Sequence, residues 1–120
     1  MSQFRAVTSA EALEAVLQAS HAEPIILFKH SQSCGVSLMA RELVAEGDVP
    51  APVHEIVVQQ QRQISNAVAE RLGVRHESPQ VFVVARGQAT WHSSHSGVQP
   101  PRIARAWREA AATFTPSAAR

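Results

Sequence analysis

The sequence predicts a single α/β domain with a four-stranded mixed sheet and helices on both faces, and two observations support this prediction. Short apolar runs rich in strand-forming residues alternate with longer segments in which apolar residues recur every three or four positions. The last two apolar runs are separated only by Arg86-Gly87-Gln88, a tight turn that predicts an antiparallel hairpin. The resulting order is helix, strand, helix, strand, helix, strand, strand, helix, which gives a parallel crossover pair followed by the hairpin.

The first elements are indicated by a capping pattern and by a short apolar run. Thr8 and Glu11 have the spacing of a capping box and precede apolar residues on one helical face, so we predict a helix over residues 9–20. The apolar residues 25–28 then predict a strand that is buried on both faces. The polar residues 29–33 predict a turn.

The rest of the chain continues this alternation. Its predicted elements are, in chain order, a helix over 34–47, a strand over 53–58, a helix over 64–72, strands over 81–84 and 89–92, and a helix over 102–112. The small, polar and proline-containing residues 113–120 predict a flexible tail, so the predicted domain comprises residues 1–112.

The bulk composition excludes several classes of protein. A formal net charge of +1 is too small to indicate binding to nucleic acid or to anionic lipid. No apolar run approaches the roughly 20 residues of a transmembrane helix, and Glu11 and Glu14 interrupt the N-terminal segment that could resemble a secretory signal. A single cysteine also suits a reducing compartment, so we expect a cytoplasmic protein.

Cys34, the single cysteine, is placed where a thiol can become reactive. It follows a buried strand and a polar turn and begins the predicted second helix, near backbone N–H groups that lack helical partners. These groups and the positive end of the helix dipole favour the thiolate over the thiol. The alternative is a cysteine packed in the core as a small hydrophobe, but the position at a helix start favours the reactive interpretation.

Ser37 occupies the position three residues later, where a two-cysteine redox site has its resolving thiol. A hydroxyl can donate a hydrogen bond to a thiolate but cannot form a disulfide, so a second half-reaction would need an external thiol. Gly35 adds little bulk between the two and leaves the sulfur approachable. We therefore predict Cys34 and Ser37 as the catalytic residues.

The element order resembles that of the thioredoxin fold with an extra N-terminal helix. In that fold, a proline at the entrance to the strand after the third helix lies in cis beside the active-site sulfur. The resemblance therefore implies a cis Ser78–Pro79 peptide bond. It also implies that the backbone of Ser78 pairs with an extended substrate.

Three segments carry a second, more specific resemblance. They are FKHSQSCGVS at 28–37, RHESPQV at 75–81 and the Ser-His pair at 94–95. Together they resemble the YtxJ-type monothiol bacilliredoxins of the bacillithiol system, over most of the chain. The CGVS sequence at 34–37 departs from the Cys-Pro-Ile-Ser of those proteins and is closer to the Cys-Gly-Phe-Ser of monothiol glutaredoxins.

The resemblance to the bacilliredoxins implies an activity. Cys34 would attack a mixed disulfide between a client protein and bacillithiol, free the client and remain bacillithiolated until another thiol regenerates it, without a metal or nucleotide cofactor. Because bacillithiol carries carboxylates, Lys29, Arg75 and His76 are candidate binding residues, although each could equally be a solvated surface charge. The predicted substrate-binding set comprises Gly35, Lys29, His30, Arg75, His76, Ser78, Pro79 and His95.

Other polar patterns carry weaker indications. His30 and His95 either tune the thiolate or satisfy buried polar groups, and both roles are open. The pair His92-x-x-His95 lacks the spacing of a zinc site, so we expect no metal site. The glutamine-containing run 59–63 is interpreted as a polar approach to a helix, without a binding role.

Two other functions are compatible with the same sequence. The first is an iron–sulfur carrier like the Cys-Gly-Phe-Ser glutaredoxins, which would use Cys34 from two subunits together with two external thiols. The second is a redox-silent binding module of the same fold, in which Cys34 has no chemical role.

Overall fold

Five strands form one mixed sheet through the centre of the structure, a computed structural model that describes residues 1–114. The strands are β1 (Phe4–Ala6), β2 (Ile25–His30), β3 (Val53–Val57), β4 (Gln80–Ala85) and β5 (Gln88–Ser94). The helices are α1 (Ala10–Ala19), α2 (Gly35–Glu46), α3 (Arg62–Leu72) and α4 (Pro100–Ala112), with a short 3-10 helix at His95–Gly97.

The strand order across the sheet is β1-β3-β2-β4-β5, so β2 is the central strand. Both β1 and β2 pair with β3 in parallel. β4 pairs with β2, and β5 with β4, in the antiparallel direction. These pairings agree with the predicted crossover pair and with the predicted hairpin.

The prediction of a four-stranded sheet is wrong by one strand. The additional strand, β1, has three residues, of which Arg5 and Ala6 are exposed, and it pairs with residues 53–55 of β3. Three residues are too few to display the alternation that marks a half-buried strand, so no local pattern predicts β1. The strand forms because β3 offers unpaired backbone groups at that edge of the sheet.

β2 is longer than predicted, because Lys29 and His30 continue the strand instead of opening a turn. All six residues of β2 are buried, and these two pair in register with Ile56 and Val57 of β3. Polar residues can occupy a buried strand when their side chains find partners in neighbouring segments. The turn that leads to Cys34 is therefore shorter than the polar run that predicted it.

The helices cover both faces of the sheet, as predicted. α1 and α3 pack on one face, over a core that includes Leu27 and Phe82. α2 and α4 pack on the other face, over a core that includes Phe28 and Val81. Successive residues of a strand point to opposite faces, so each buried strand contributes to both cores.

All four helices begin one or two residues away from their predicted starts. Ser9 Oγ accepts a hydrogen bond from the Ala12 N–H at 3.0 Å, so Ser9 and not Thr8 caps α1. α4 begins at Pro100, two residues before its predicted start. Proline suits the first position of a helix, because the N–H groups of the first turn have no helical partners and proline has no N–H. α4 has 13 residues, and no helix among residues 1–114 is long and apolar enough to cross a membrane.

The C-terminal end of α4 contacts the turn between β4 and β5. The Arg86 guanidinium donates to the hydroxyl and the carbonyl of Thr113, both at 3.0 Å, and lies 3.9 Å from the centre of the Phe114 ring. Thr113 and Phe114, the first two residues of the predicted tail 113–120, thus both contact Arg86. Residues 115–120 lie outside the described part of the chain.

Gly47, at the C-terminal end of α2, lies against the ring of Pro100. A Cβ atom at position 47 would overlap with the Cβ and Cγ atoms of that proline. We predict that Gly47→Ala lowers the free energy of unfolding by about 1–3 kcal/mol, as overpacking does in closely packed interiors. Urea unfolding measures this change. Gly35→Ala is the matched control, because a Cβ atom at position 35 meets nothing within 4 Å. An equal loss in both variants would contradict the steric explanation.

Candidate functional site around Cys34

Cys34 is the N-cap residue of α2. Its backbone is extended, with φ −107° and ψ 120°, and its carbonyl accepts the first helical hydrogen bond from the Leu38 N–H at 3.0 Å. The residue is partly buried, while Gly35 beside it is exposed. The first N–H groups of a helix have no helical partners, so they are available to stabilise negative charge at this position.

Ser37 lies one turn further along α2, with its side chain in the protein interior. Its hydroxyl oxygen accepts a hydrogen bond from the Ser31 N–H at 2.9 Å and lies 2.8 Å from Nδ1 of His30. Among the side-chain hydrogen bonds of residues 1–114, none joins Ser37 to Cys34. The hydroxyl therefore holds the turn before the cysteine and orients His30, and it does not donate to the sulfur, although a hydroxyl at this position could do so.

His30 is the last residue of β2, and its side chain is buried against α2. Its ring stacks on that of Phe28, with the two centroids 6.0 Å apart, and its Nδ1 contacts Ser37. Burial lowers the pKa of His30; Glu55 raises it and Arg41 lowers it by smaller contributions. His30 is therefore neutral at pH 7. Of its two predicted roles, the geometry favours satisfying a buried polar group.

Lys29 points to the opposite face of the sheet and is fully buried. Its Nζ lies 3.2 Å from Nδ1 of His76 and 5.9 Å from the centre of the Phe82 ring. Burial lowers the pKa of Lys29 to about 8. The alternation of β2 turns this side chain towards the core. Lys29 therefore lies beneath His76 and not at the surface, where the sequence analysis expected it to bind a carboxylate.

His76 covers Lys29, and the neighbouring Arg75 is exposed. Nδ1 of His76 lies 3.2 Å from the lysine Nζ and 3.3 Å from Ser65 Oγ. A protonated lysine can only donate, so Nδ1 accepts and the imidazole proton is on Nε2. Burial lowers the pKa of His76 most, followed by the positive charges of Lys29 and Arg62. Of the three predicted carboxylate-binding residues, Arg75 and His76 are thus accessible.

The Ser78–Pro79 peptide bond is cis, as the resemblance to the thioredoxin fold implied. The following residue, Gln80, pairs in register with Lys29 across β4 and β2. Pro79 therefore lies one residue beyond that pair, at the end of β2 from which the chain continues to Cys34. The proline and the cysteine lie at the same end of the sheet.

Gln80 is a site residue to which the sequence analysis assigned no role. It is fully buried; its side-chain carbonyl accepts from the Glu77 N–H at 3.2 Å, and its NH₂ group donates to the Arg75 carbonyl at 3.0 Å. One amide thereby closes the loop that contains the cis-proline. The available signal was a polar residue at the start of an otherwise apolar buried strand, where a side chain needs hydrogen-bond partners.

Glu77 and His95 connect the same loop to the end of β5. The Glu77 carboxylate accepts from Ser94 Oγ at 3.2 Å and lies 2.8 Å from Nε2 of His95. The His95 N–H donates to the Pro79 carbonyl at 3.0 Å, and the residue has a left-handed backbone with φ 53°. These bonds lower the pKa of Glu77, with the His95 hydrogen bond as the largest cause. His95 therefore holds residues 75–79, the proline loop, against the end of β5.

Gln59 is a second glutamine that the sequence analysis left without a role. It follows β3, and its NH₂ group donates to Ser31 Oγ at 2.8 Å and to Ser33 Oγ at 2.9 Å. Its side-chain carbonyl accepts from the Gln32 N–H at 3.1 Å. The glutamine run 59–63 gave no local signal for these bonds, because the partners lie before Cys34 in a distant part of the sequence.

The sequence model of the monothiol bacilliredoxin family, BrxC, matches residues 5–103, which include Cys34 and the proline loop. The chain belongs to this family. The match covers most of the chain. It confirms the resemblance to the monothiol bacilliredoxins that was inferred from three sequence segments.

Solved structures similar to this bacilliredoxin have the thioredoxin fold. A thioredoxin-fold protein proposed to be an oxidoreductase superposes with a TM-score of 0.74 at 26% identity, covering 86% of this chain and 92% of that one. The thioredoxin Mala s 13 of Malassezia sympodialis has a TM-score of 0.68 at 17% identity and coverages of 92% and 91%. A thioredoxin variant from Halobacterium salinarum has a TM-score of 0.67 at 20% identity and coverages of 92% and 95%. The last two likenesses concern the fold alone.

The family and the fold support a redox function for this bacilliredoxin. Its sequence contains one cysteine, so an intrachain disulfide cannot form. A thiolate at Cys34 can still exchange with a disulfide brought from outside, through a mixed disulfide. The site is therefore suited to chemistry in which both partners of the cysteine are external.

The buried Lys29–His76 pair predicts how stability depends on pH. Burial lowers the pKa of Lys29 from its ordinary 10.5 to about 8, so the unfolded chain binds more protons between these values. Stability therefore rises as pH increases through this window. The pKa of His76 is also lowered from its ordinary 6.5, so stability falls as pH decreases below that value and the unfolded histidine is protonated.

Lys29→Met tests the alkaline part of this dependence. The chain contains one lysine, one cysteine and no tyrosine, so in a Cys34→Ser background Lys29 is the side chain expected to change charge at alkaline pH. In that background we predict a rise of the free energy of unfolding on the order of 1–3 kcal/mol between pH 8 and pH 10.5. Lys29→Met should abolish the rise, as measured by urea unfolding at each pH. A rise that persists with methionine would assign the effect to another group.

Proposed function

We propose that this bacilliredoxin removes bacillithiol from client proteins through Cys34. The thiolate attacks the bacillithiol sulfur of the mixed disulfide, a bond forms between these two sulfurs, and the client leaves as a thiolate. An external thiol then attacks the disulfide between Cys34 and bacillithiol, and the cysteine leaves as a thiolate. Bacillithiol is a co-substrate in this scheme, and neither step requires a metal or a nucleotide. A reducing compartment such as the cytoplasm would supply the external thiol.

The position of Cys34 is the observation that carries the proposal. The cysteine is the N-cap residue of α2, at the positive end of the helix dipole, which favours a thiolate, and it lies at the same end of the sheet as the cis-proline Pro79. Ser37 stands in the resolving position and its hydroxyl is occupied by other residues. The intermediate disulfide on Cys34 would therefore persist until an external thiol arrives, as a one-thiol cycle requires.

Arg75 and His76 are the proposed contacts for the carboxylates of bacillithiol. Both are exposed, and the pair belongs to the loop that ends at Pro79. An arginine can bind a carboxylate through two parallel hydrogen bonds. Ser78, in the same loop, offers backbone groups to an extended client segment. Lys29 would act on this surface only indirectly, by holding the ring of His76 from beneath.

Intact-mass measurement tests the reaction itself. Reduced protein is mixed with a bacillithiolated client and, separately, with a glutathionylated client. We predict that the protein gains the mass of one bacillithiol while the client loses it, and that Cys34→Ser gains nothing. Transfer from neither client would contradict the proposal. Transfer only from the glutathionylated client would show that glutathione, and not bacillithiol, is the co-substrate.

Arg75→Ala tests the carboxylate contact. We predict that KM for a bacillithiolated substrate rises about three- to tenfold with a smaller change in kcat, because a charge-assisted hydrogen bond to the substrate is lost. Arg108→Ala is the matched control, since Arg108 is an exposed arginine on α4. Equal KM values in the wild type and both variants would show that Arg75 does not bind the substrate.

A further inference from the structure

We propose that Gln59 is a positioning residue for Cys34, acting through the turn formed by residues 31–33. A catalytic role for Gln59 rests on the proposed function, because Gln59 would hold the thiol that attacks the disulfide. Gln59 contacts the turn and not the sulfur. It is exposed, so its contribution to the folded core is small.

The end of β3 brings Gln59 beside the turn. The Val58 N–H donates to the His30 carbonyl at 2.9 Å, so the parallel pairing of β3 with β2 extends one residue beyond β3. The Gln60 N–H then donates to the Val57 carbonyl at 3.0 Å, which closes a tight turn immediately afterwards. The backbone at position 59 is thereby held next to the residue at which β2 ends.

The Gln59 amide binds every residue of the turn that precedes Cys34. Its NH₂ group donates to the hydroxyls of Ser31 and Ser33, at 2.8 and 2.9 Å. Its carbonyl accepts from the backbone N–H of Gln32 at 3.1 Å. An amide can do this because it combines two donors with an acceptor and carries no charge. A carboxylate in its place would add negative charge near the thiolate.

The inner side of the same turn is held by α2. Ser37 Oγ accepts from the Ser31 N–H at 2.9 Å, and the Cys34 N–H points back to the Ser31 carbonyl at 3.5 Å. The turn is thus fixed from the interior by Ser37 and from the exterior by Gln59. Without the exterior bonds, the backbone before Cys34 would gain freedom, and the sulfur would spend less time at the start of α2, where the positive end of the helix dipole favours a thiolate.

Alkylation of Cys34 by iodoacetamide, measured from pH 5 to pH 9, tests the proposal. Gln59→Met removes all three bonds and keeps the side-chain length, and Gln60→Met is the matched control at the adjacent exposed position. We expect Gln59→Met to react about three- to tenfold more slowly at pH 7, the effect of losing hydrogen bonds worth about 1 kcal/mol. Half-maximal reactivity should also move to higher pH, while the melting temperature falls by only about 3–5 °C, the shift that about 1 kcal/mol produces in a domain of this size. Gln60→Met should follow the wild type.

A double-mutant cycle separates positioning through the turn from a general structural effect. Ser33→Ala removes one of the partners of Gln59, so Gln59→Met should have a smaller effect in that background than in the wild type. Equal alkylation rates at every pH for Gln59→Met and the wild type would overturn the proposal, and so would strict additivity in the cycle. Iodoacetamide involves no bacillithiol, so a failure of bacillithiol transfer would leave this result interpretable.

Discussion

The complete burial of β2 is the constraint on which the rest of the structure depends. β2 lies between β3 and β4, and all of its six residues are buried. A central strand satisfies its backbone groups through both neighbours, so it can continue for as long as its side chains are accommodated. Here it continues through Lys29 and His30, and the end of the strand determines where the turn to Cys34 begins.

The two polar side chains at the end of β2 point to opposite faces of the sheet. Each must find a partner, because a buried unsatisfied donor or acceptor costs about 1–3 kcal/mol. His30 meets Ser37 of α2, and Lys29 meets His76 of the proline loop. The helix that begins at the cysteine and the loop that carries the cis-proline are therefore both attached to the same central strand.

Neutral amides complete this attachment on either side of the cysteine. Gln59 binds the turn before Cys34, and Gln80 closes the loop before β4. Each amide uses its carbonyl and its NH₂ group at once. Loops held in this way keep a fixed geometry without bringing additional charge to a site that has to stabilise a thiolate. Under the proposed function, both reaction partners of Cys34 come from solution, so a fixed approach surface matters to the reaction.

Features that follow from local backbone geometry could be predicted from the amino-acid sequence. Helical periodicity and apolar runs located four helices and four strands, and the position of Cys34 at a helix start followed from them. β1 was missed because three residues carry no period, and Lys29 and His30 were assigned to a turn because their polarity suggested solvent. Burial of those two residues depended on partners that single-residue polarity does not reveal.

The pairing of the buried polar groups is visible only in the folded structure. His76, the partner of Lys29, lies 47 residues away in the sequence, and the partners of Gln59 lie 26 to 28 residues away; the sheet brings each pair together. Ser37 was recognised as the residue in the resolving position, yet its hydroxyl faces the core because of the packing of α2 against β2. Periodicity arises from the local backbone and can be read along the chain. The pairing of buried polar side chains depends on the register of strands and the docking of helices, which no local pattern encodes.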